Sequence, residues 1–194
     1  MQEIKKNFNH LKIHTQYSIC EGAIIIDNLK DFCKKNKIQS IALSDSSNLS
    51  GALEFSEKVS KSGTQPIIGT QIIFKYKDTY GYIPLIALNY DGYKKIIELS
   101  SKSYLENTEL TEPFCNFNEL LKNLNGISLL SGSINSLSGK LFNMGRTDDV
   151  TNIYKKLQSI YKENFYLEIQ RHGDLNEKSF EDFNLTKSKE LGIP

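Results

Sequence analysis

The sequence predicts an α/β protein built on a parallel sheet. Two observations lead there. Short apolar runs of strand length alternate with segments whose apolar residues recur at helical spacing. No repeat or low-complexity stretch breaks the alternation, which is the pattern of strands joined by crossover helices. A third observation narrows the class: neither G-x-G-x-x-G nor G-x-x-x-x-G-K-[ST] is present, so the phosphate-cradling versions of the architecture lose support.

In chain order, residues 8–14 read as the first strand. Residues 27–35 read as a helix, with Asp27 as N-cap and Leu29, Phe32 and Cys33 on one face. Residues 38–43 form the next strand, ending at Ser44-Asp45. A helix over 48–61 places Leu49, Ala52, Leu53 and Val59 at helical spacing and stops at Ser62-Gly63. Residues 66–74 and 82–89 are apolar strands, with Asp91-Gly92 as a turn. Tyr93, Ile96, Ile97 and Tyr104 mark a helix, and a linker runs through Glu112-Pro113. A short helix over 118–123 precedes a buried strand at 127–130, which ends in Ser131-Gly132-Ser133. Thr147-Asp148-Asp149 opens a helix with acids where the dipole favours them, and Val150, Ile153, Tyr154, Leu157 and Ile160 give its buried stripe. A strand over 165–170 and a helix over 177–190 follow. Leu191-Gly192-Ile193-Pro194 reads as the beginning of one more strand, with the domain cut before it.

In barrel-like arrangements functional groups gather at the C-terminal ends of strands. Those ends are His14, Asp45, Gln71, Ser133 and the loop Gln170-Arg171-His172-Gly173. The first is the most informative. On a strand, residues i, i+2 and i+4 share a face, so His10, Lys12 and His14 point one way. Two imidazoles with a neutral residue between them could begin a metal cluster. An ammonium in the middle cannot join it, because Lys donates hydrogen bonds and repels a cation.

The 194 residues fit one domain, and 39% hydrophobic with 24% charged residues supports a packed core. A net charge of +1 argues against a wholesale nucleic-acid footprint. Arg occurs only at Arg146 and Arg171. The cysteines Cys20, Cys33 and Cys115 are odd in number and lack C-x-x-C spacing, so neither a disulfide framework nor a zinc knuckle is implied. With no secretory-type N-terminus and no membrane-length apolar run, the expected location is the cytoplasm, without membrane association.

At the level of motifs, residues 8–18 followed by Glu21-Gly22-Ala23 resemble the start of the PHP (polymerase and histidinol phosphatase) domain. The likeness is to the branch at the N-terminus of bacterial replicative DNA polymerase III alpha subunits. Four more matches follow in order. Ala42-Leu43-Ser44-Asp45-Ser46-Ser47-Asn48-Leu49-Ser50-Gly51-Ala52 resembles the family's Leu-Thr-Asp-His-Gly-Asn-x-x-Gly segment. Pro66-Ile67-Ile68-Gly69-Thr70-Gln71 resembles Pro-Ile-Ile-Gly-x-Glu. The stretch from Gly92-Tyr93 to Tyr104 resembles its Gly-Tyr-x-Asn-Leu helix. Phe165-Tyr166-Leu167-Glu168-Ile169-Gln170-Arg171-His172-Gly173 resembles Tyr-Leu-Glu-x-Gln-x-His-Gly.

The resemblance implies a distorted seven-stranded α/β barrel, here truncated before its last strand. It makes residues 1–194 a single PHP domain from a larger subunit whose palm, fingers and clamp-binding parts are absent. Active members hydrolyse phosphoesters with a metal cluster, and some polymerases keep a proofreading exonuclease there. His14 and Asp45 keep ligand-type residues. Lys12 stands where the family has His, Ser46 where it has His, Gln71 where it has Glu, Tyr82 where a strand His would be, and Ser133 where a Cys would be. His10, Glu168 and His172 are possible neighbours. A multinuclear site needs several carboxylates and imidazoles to offset cation charge, so the expectation is a vestigial site with no bound metal and no catalytic residue. Lys12 is expected to pair with Asp45 in place of metal. Structural roles outweigh ligation for His14 and His10, and a solvated loop outweighs phosphate contact for His172.

The implied role is that of a structural and partner-docking module supporting DNA-directed DNA synthesis. Its partners would be the rest of the polymerase subunit, a proofreading exonuclease subunit, and DNA through the parent protein. Mg2+ would serve the parent's palm, with no cofactor in this part. The alternative is a stand-alone metal-dependent phosphoesterase of the histidinol-phosphatase or proofreading-exonuclease kind, against which Lys12, Ser46 and Gln71 speak. A weaker third reading is an unrelated α/β binding module.

Overall fold

The computed structural model describes residues 8–105, 112–122 and 124–194. It forms two compact units, Met1–Thr70 and Gln71–Pro194. The first contains β1 (His10–Ile13), α1 (Ile26–Asn36), β2 (Ser40–Ser46), α2 (Ala52–Ser60) and the start of β3 (Gln65–Tyr76). Its strands lie in the order β1-β2-β3, with β1 and β2 parallel. The core packs Ile26, Leu29 and Cys33 of α1 and Ala52, Phe55 and Val59 of α2 onto Ile41 and Leu43 of β2. On each helix the three buried positions are spaced i, i+3 and i+7, one face of a 3.6-residue turn. Two residues expected on that face, Phe32 and Leu53, lie off it. Phe32 is 48% exposed and Leu53 72% exposed, because each sits one position off the buried stripe.

Helix α1 also begins differently from expectation. Ile25, extended and without a side-chain cap, precedes the first turn. Asp27 lies inside that turn, where the dipole favours an acid, and accepts from the Lys58 ammonium at 2.7 Å. That contact holds its carboxyl below the usual carboxylate range.

The second unit continues β3 and adds β4 (Thr79–Ala87), α3 (Tyr90–Leu105), β5 (Cys115–Asn116), a 3₁₀ turn (Phe117–Lys122), β6 (Ile127–Leu130), α4 (Leu137–Asn143), α5 (Thr147–Tyr161), β7 (Phe165–Tyr166) and α6 (Glu177–Leu191). Strand order is β3-β4-β6-β7, with β5 paired to β3. The sheet is mixed, which corrects the wholly parallel expectation. β4 and β6 run antiparallel, with Leu85 opposite Leu129, while β6–β7 and β3–β5 are parallel. The physical reason is the connection from β3 to β4. Lys77 and Asp78 alone join these neighbouring strands, too few residues for a crossover.

Other departures are local. Asp91 and Gly92 belong to the first turn of α3, where the Gly92 N–H donates to Asn89 Oδ1 at 2.9 Å. Gly92 is required there, since a Cβ would sit 1.8 Å from the Gly126 carbonyl oxygen. Ile97 and Tyr104 are 40% and 55% exposed, and Ile96 and Leu99 carry the buried face. Ile160 is only partly buried at the edge of the α5 stripe. Helix α4, capped by Ser136, was not expected. Residues 106–111 of the expected linker and residue 123 of the short helix lie outside the described residues. Strand β7 stops after Tyr166. Beyond it the Leu167 N–H donates to the Pro194 carbonyl at 2.8 Å and the Glu168 N–H to Ser131 Oγ at 2.8 Å. Among the described residues no helix is long and apolar enough to cross a membrane.

Candidate functional site

In the first unit the polar centre lies where β2 ends. Asp45 is fully buried. Burying an ionised carboxylate is costly unless donors surround it, and the loop after β1 supplies three. The Thr15 N–H donates to Oδ1 at 2.6 Å, Thr15 Oγ1 to Oδ2 at 2.7 Å, and Ser18 Oγ to Oδ1 at 2.6 Å. The backbone is tied in as well. Thr70 Oγ1 donates to the Asp45 carbonyl at 2.6 Å, and the Ser46 N–H donates to Ser18 Oγ at 3.1 Å. Neutral hydroxyls and one amide thus meet the Asp45 carboxylate. These lie on the tight turn that follows β1, which brings them to the carboxylate within four residues.

That turn is shaped by close backbone approach. Ser18 N–H donates to the Thr15 carbonyl at 2.9 Å, and Gly22 N–H to the Ser18 carbonyl at 2.8 Å. A Cβ at Gly22 would fall 2.0 Å from the Thr15 carbonyl oxygen, so glycine lets the loop close over Asp45. Asn48 clamps the other side, its Nδ2 donating to the Tyr17 and Ser46 carbonyls at 2.9 Å each.

His14 stands beside this arrangement, partly buried. Its Nδ1 lies 3.3 Å from Ser18 Oγ, 3.5 Å from Ser46 Oγ and 3.8 Å from the Glu21 carboxylate. Ser46 Oγ in turn donates to Glu21. The fold thus joins His14, Asp45 and Ser46 through Ser18 and Glu21. His10 is exposed and meets Phe8 edge-on, with ring centroids 4.9 Å apart. The β1–β2 register shifts between His10 and Ile13, and such an irregularity breaks the two-residue alternation. Lys12 is partly buried on β1.

The remaining predicted positions belong to the second unit. Gln71 is 7% exposed on β3, and Tyr82 is partly buried on β4. Ser133, after β6, accepts the Asn135 N–H at 3.2 Å. Ser133 and Glu168 line one small cleft with Gln170, Glu177, Glu181 and Asn184. Gln170 donates to Glu168 Oε1, and Asn184 Nδ2 to the Glu168 carbonyl at 3.3 Å. His172 is exposed. What its loop contributes is backbone: the His172 and Gly173 N–H groups both donate to Glu177 at 2.8 Å. The His172 N–H is the main cause holding the Glu177 carboxyl below the usual range. Arg171 makes a two-pronged contact to Glu181 at 3.0 and 2.8 Å, which depresses that carboxyl too. Thr15, Ser18, Glu177 and Glu181 are not among the site residues expected from sequence. Only the pairing of a buried Asp with hydroxyl-bearing loop residues could have marked the first two. Among the described residues no three His, Cys, Asp or Glu side chains are grouped so as to hold a metal ion.

The strand order and pairing define a mixed α/β protein. A solved structure from Bifidobacterium adolescentis, provisionally described as a metal-dependent phosphoesterase, superposes with a TM-score of 0.56 at 13% identity, covering 95% of this chain and 84% of its own. That likeness is one of fold. Residues 10–172 match the PHP domain, and the chain belongs to that family. It is 34% identical over 193 residues to the DNA polymerase III subunit alpha of Rickettsia felis, covering 98% of this chain and 16% of the relative. It is 33% identical over 201 residues to that of Borreliella burgdorferi, covering 98% and 17%. The chain thus spans about a sixth of the length of these relatives.

Proposed function

We propose that this chain is the PHP domain of a bacterial replicative DNA polymerase III alpha subunit, with its own phosphoesterase site eroded. The family match runs through both compact units, from residue 10 to residue 172, which supports reading 1–194 as one PHP domain. The relatives align over 98% of the chain, which supports the polymerase parentage. On this reading nucleotidyl transfer and its Mg2+ belong to a palm outside these residues. The domain itself supports the fold of the subunit and docks a proofreading exonuclease in the cytoplasm.

The observation that carries the erosion is the state of Asp45. Three donors occupy its carboxylate oxygens. They take three of the roughly four acceptor positions of a carboxylate, so a divalent ion bound there would sit beside the protons of two hydroxyls and an amide. Ser46, Gln71 and Lys12 bring no charge that would compensate. The phosphoesterase alternative is favoured only by fold likeness to a distant relative, and fold does not fix function.

Metal analysis of the purified chain, paired with hydrolysis of bis(p-nitrophenyl) phosphate in added Mn2+ or Zn2+, tests this reading. The expected result is substoichiometric metal and no turnover above buffer. Stoichiometric metal with chelator-sensitive turnover would overturn it.

A further inference from the structure

A cleft of about 250 Å3 opens in the second unit, lined by Lys75, Tyr76, Lys77, Asn116, Phe117 and Asn118. Strand alternation builds it. Phe74 and Cys115 face each other in register and are buried, so the next pair, Lys75 and Asn116, turns outward. Phe117 goes inward again and Asn118 outward. One wall therefore presents an ammonium and two amides, and no carboxylate lines the cleft.

The neighbouring charges are already matched. Lys77 Nζ is held by Asp149 at 2.6 Å, whose other oxygen takes Arg146 Nε at 2.8 Å, while Arg146 also reaches Asp78 at 2.5 Å. Two cations thus balance two carboxylates. Lys75 has no such counter-charge among the described residues. Its Nζ lies 5.2 Å from the Tyr80 ring centroid and 5.8 Å from that of Phe114. Ring faces steady an ammonium without meeting its hydrogen-bonding demand as a carboxylate would. Among the described residues the Asn116 and Asn118 side chains also make no hydrogen bond to protein.

We propose that this cleft binds an oxyanion of the phosphate class, with Lys75 supplying the charge and the Asn116 and Asn118 amides the directional donors. A single unmatched cation makes the site weak and salt-sensitive. The chemistry suits inorganic phosphate and a phosphodiester of single-stranded DNA alike. The inference does not depend on the polymerase reading, since it rests on the cleft alone.

The test follows the side-chain amide signals of the full chain by 15N NMR during titration with inorganic phosphate at low ionic strength. A second arm adds a short oligothymidine. Saturable shifts of the Asn116 and Asn118 amides are expected, and Lys75→Met should weaken them by about five-fold or more. Since Lys75 also contacts two rings, Asn118→Asp provides a second variant at an exposed position; it sets a carboxylate on the rim and should weaken binding as well. Lys155→Met, on the exposed face of α5, should change nothing. Competition between oligothymidine and phosphate for the same signals would identify nucleic acid as the source, and response to phosphate alone a free-anion site. Absence of saturable shifts, or binding unchanged in both Lys75→Met and Asn118→Asp, would overturn the proposal.

Discussion

Replacing Asp45 discriminates between a carboxylate that serves the fold and one kept for a metal. In Asp45→Asn the amide oxygen can take the Oδ1 position, which receives the Thr15 N–H at 2.6 Å and Ser18 Oγ at 2.6 Å. The amide nitrogen then replaces Oδ2 and donates to Thr15 Oγ1, a hydroxyl able to turn its proton elsewhere. Only charge assistance is lost, about 1–2 kcal/mol. Asp45→Ala is different. It removes both acceptor oxygens, and with them three hydrogen bonds, from a fully buried position, and the Thr15 N–H cannot turn away. An orphaned buried donor costs about 1–3 kcal/mol on top of the lost bonds, so the total is about 3–4 kcal/mol. At about 2–4 °C per kcal/mol for a chain of this size, the alanine variant should melt about 6–16 °C below the parent, and the asparagine variant about 2–8 °C below. The assay is thermal and urea unfolding by far-ultraviolet circular dichroism, each with and without EDTA. An Asp45→Ala variant that unfolds within about 0.5 kcal/mol of the parent, or EDTA lowering the parent's melting temperature to that of the variant, would refute a purely structural role for this carboxylate.

Gly92→Ala should destabilise by about 2–3 kcal/mol, because its Cβ would meet the Gly126 carbonyl oxygen at 1.8 Å. Gly63→Ala, where nothing lies within 4 Å but φ is +81°, should cost only about 1 kcal/mol; urea midpoints give both, and equal losses would contradict the steric argument. Glu177 titrates below the usual range in the folded chain, so its contribution is full above the ordinary glutamate value of about 4.3 and fades as pH falls through the lower folded value. Glu177→Gln should accordingly be less stable than the parent at neutral pH, with the gap closing in acid; a gap that does not change with pH would refute the assignment. Tyr17 OH donates to Glu54 at 2.6 Å, and that carboxylate is the main cause raising the phenol above its ordinary value. In Glu54→Gln the Tyr17 13Cζ titration should return toward about 10, and an unmoved midpoint would remove Glu54 as the cause.

Much of the fold could be read from apolar spacing because burial selects for it. The buried stripe of α5 was legible at Val150, Ile153, Tyr154 and Leu157, all of which lie in the core. The polarity of the sheet was not legible. Lys77-Asp78 is no standard turn dipeptide, and Lys77 reaches the left-handed region at φ +56° without glycine to signal it. Helix α4 hid for a related reason. Its first turn, Leu137-Ser138-Gly139, has poor helix propensity, and it is held by the Ser136 cap and by Gly139, whose Cβ would strike Ile134.

The candidate site divides in the same way. Position along the chain located Asp45 at a strand end, because strand ends follow from the length of an apolar run. The identity of its partners depended on distances that a run of residues does not encode. The two-residue period assumed from His10 onward is interrupted by the register shift between His10 and Ile13. Thr15 and Ser18 were three apart in an unassigned loop, and nothing in their spacing distinguished them from any hydroxyl residues of a turn. What singles them out is a backbone condition: the Thr15 carbonyl accepts from Ser18, and Gly22 passes close enough to exclude a side chain. A buried carboxylate needs compensation of some kind, and a cation is one form of it. Here a loop closed by glycine supplies three hydrogen-bond donors to the Asp45 oxygens instead.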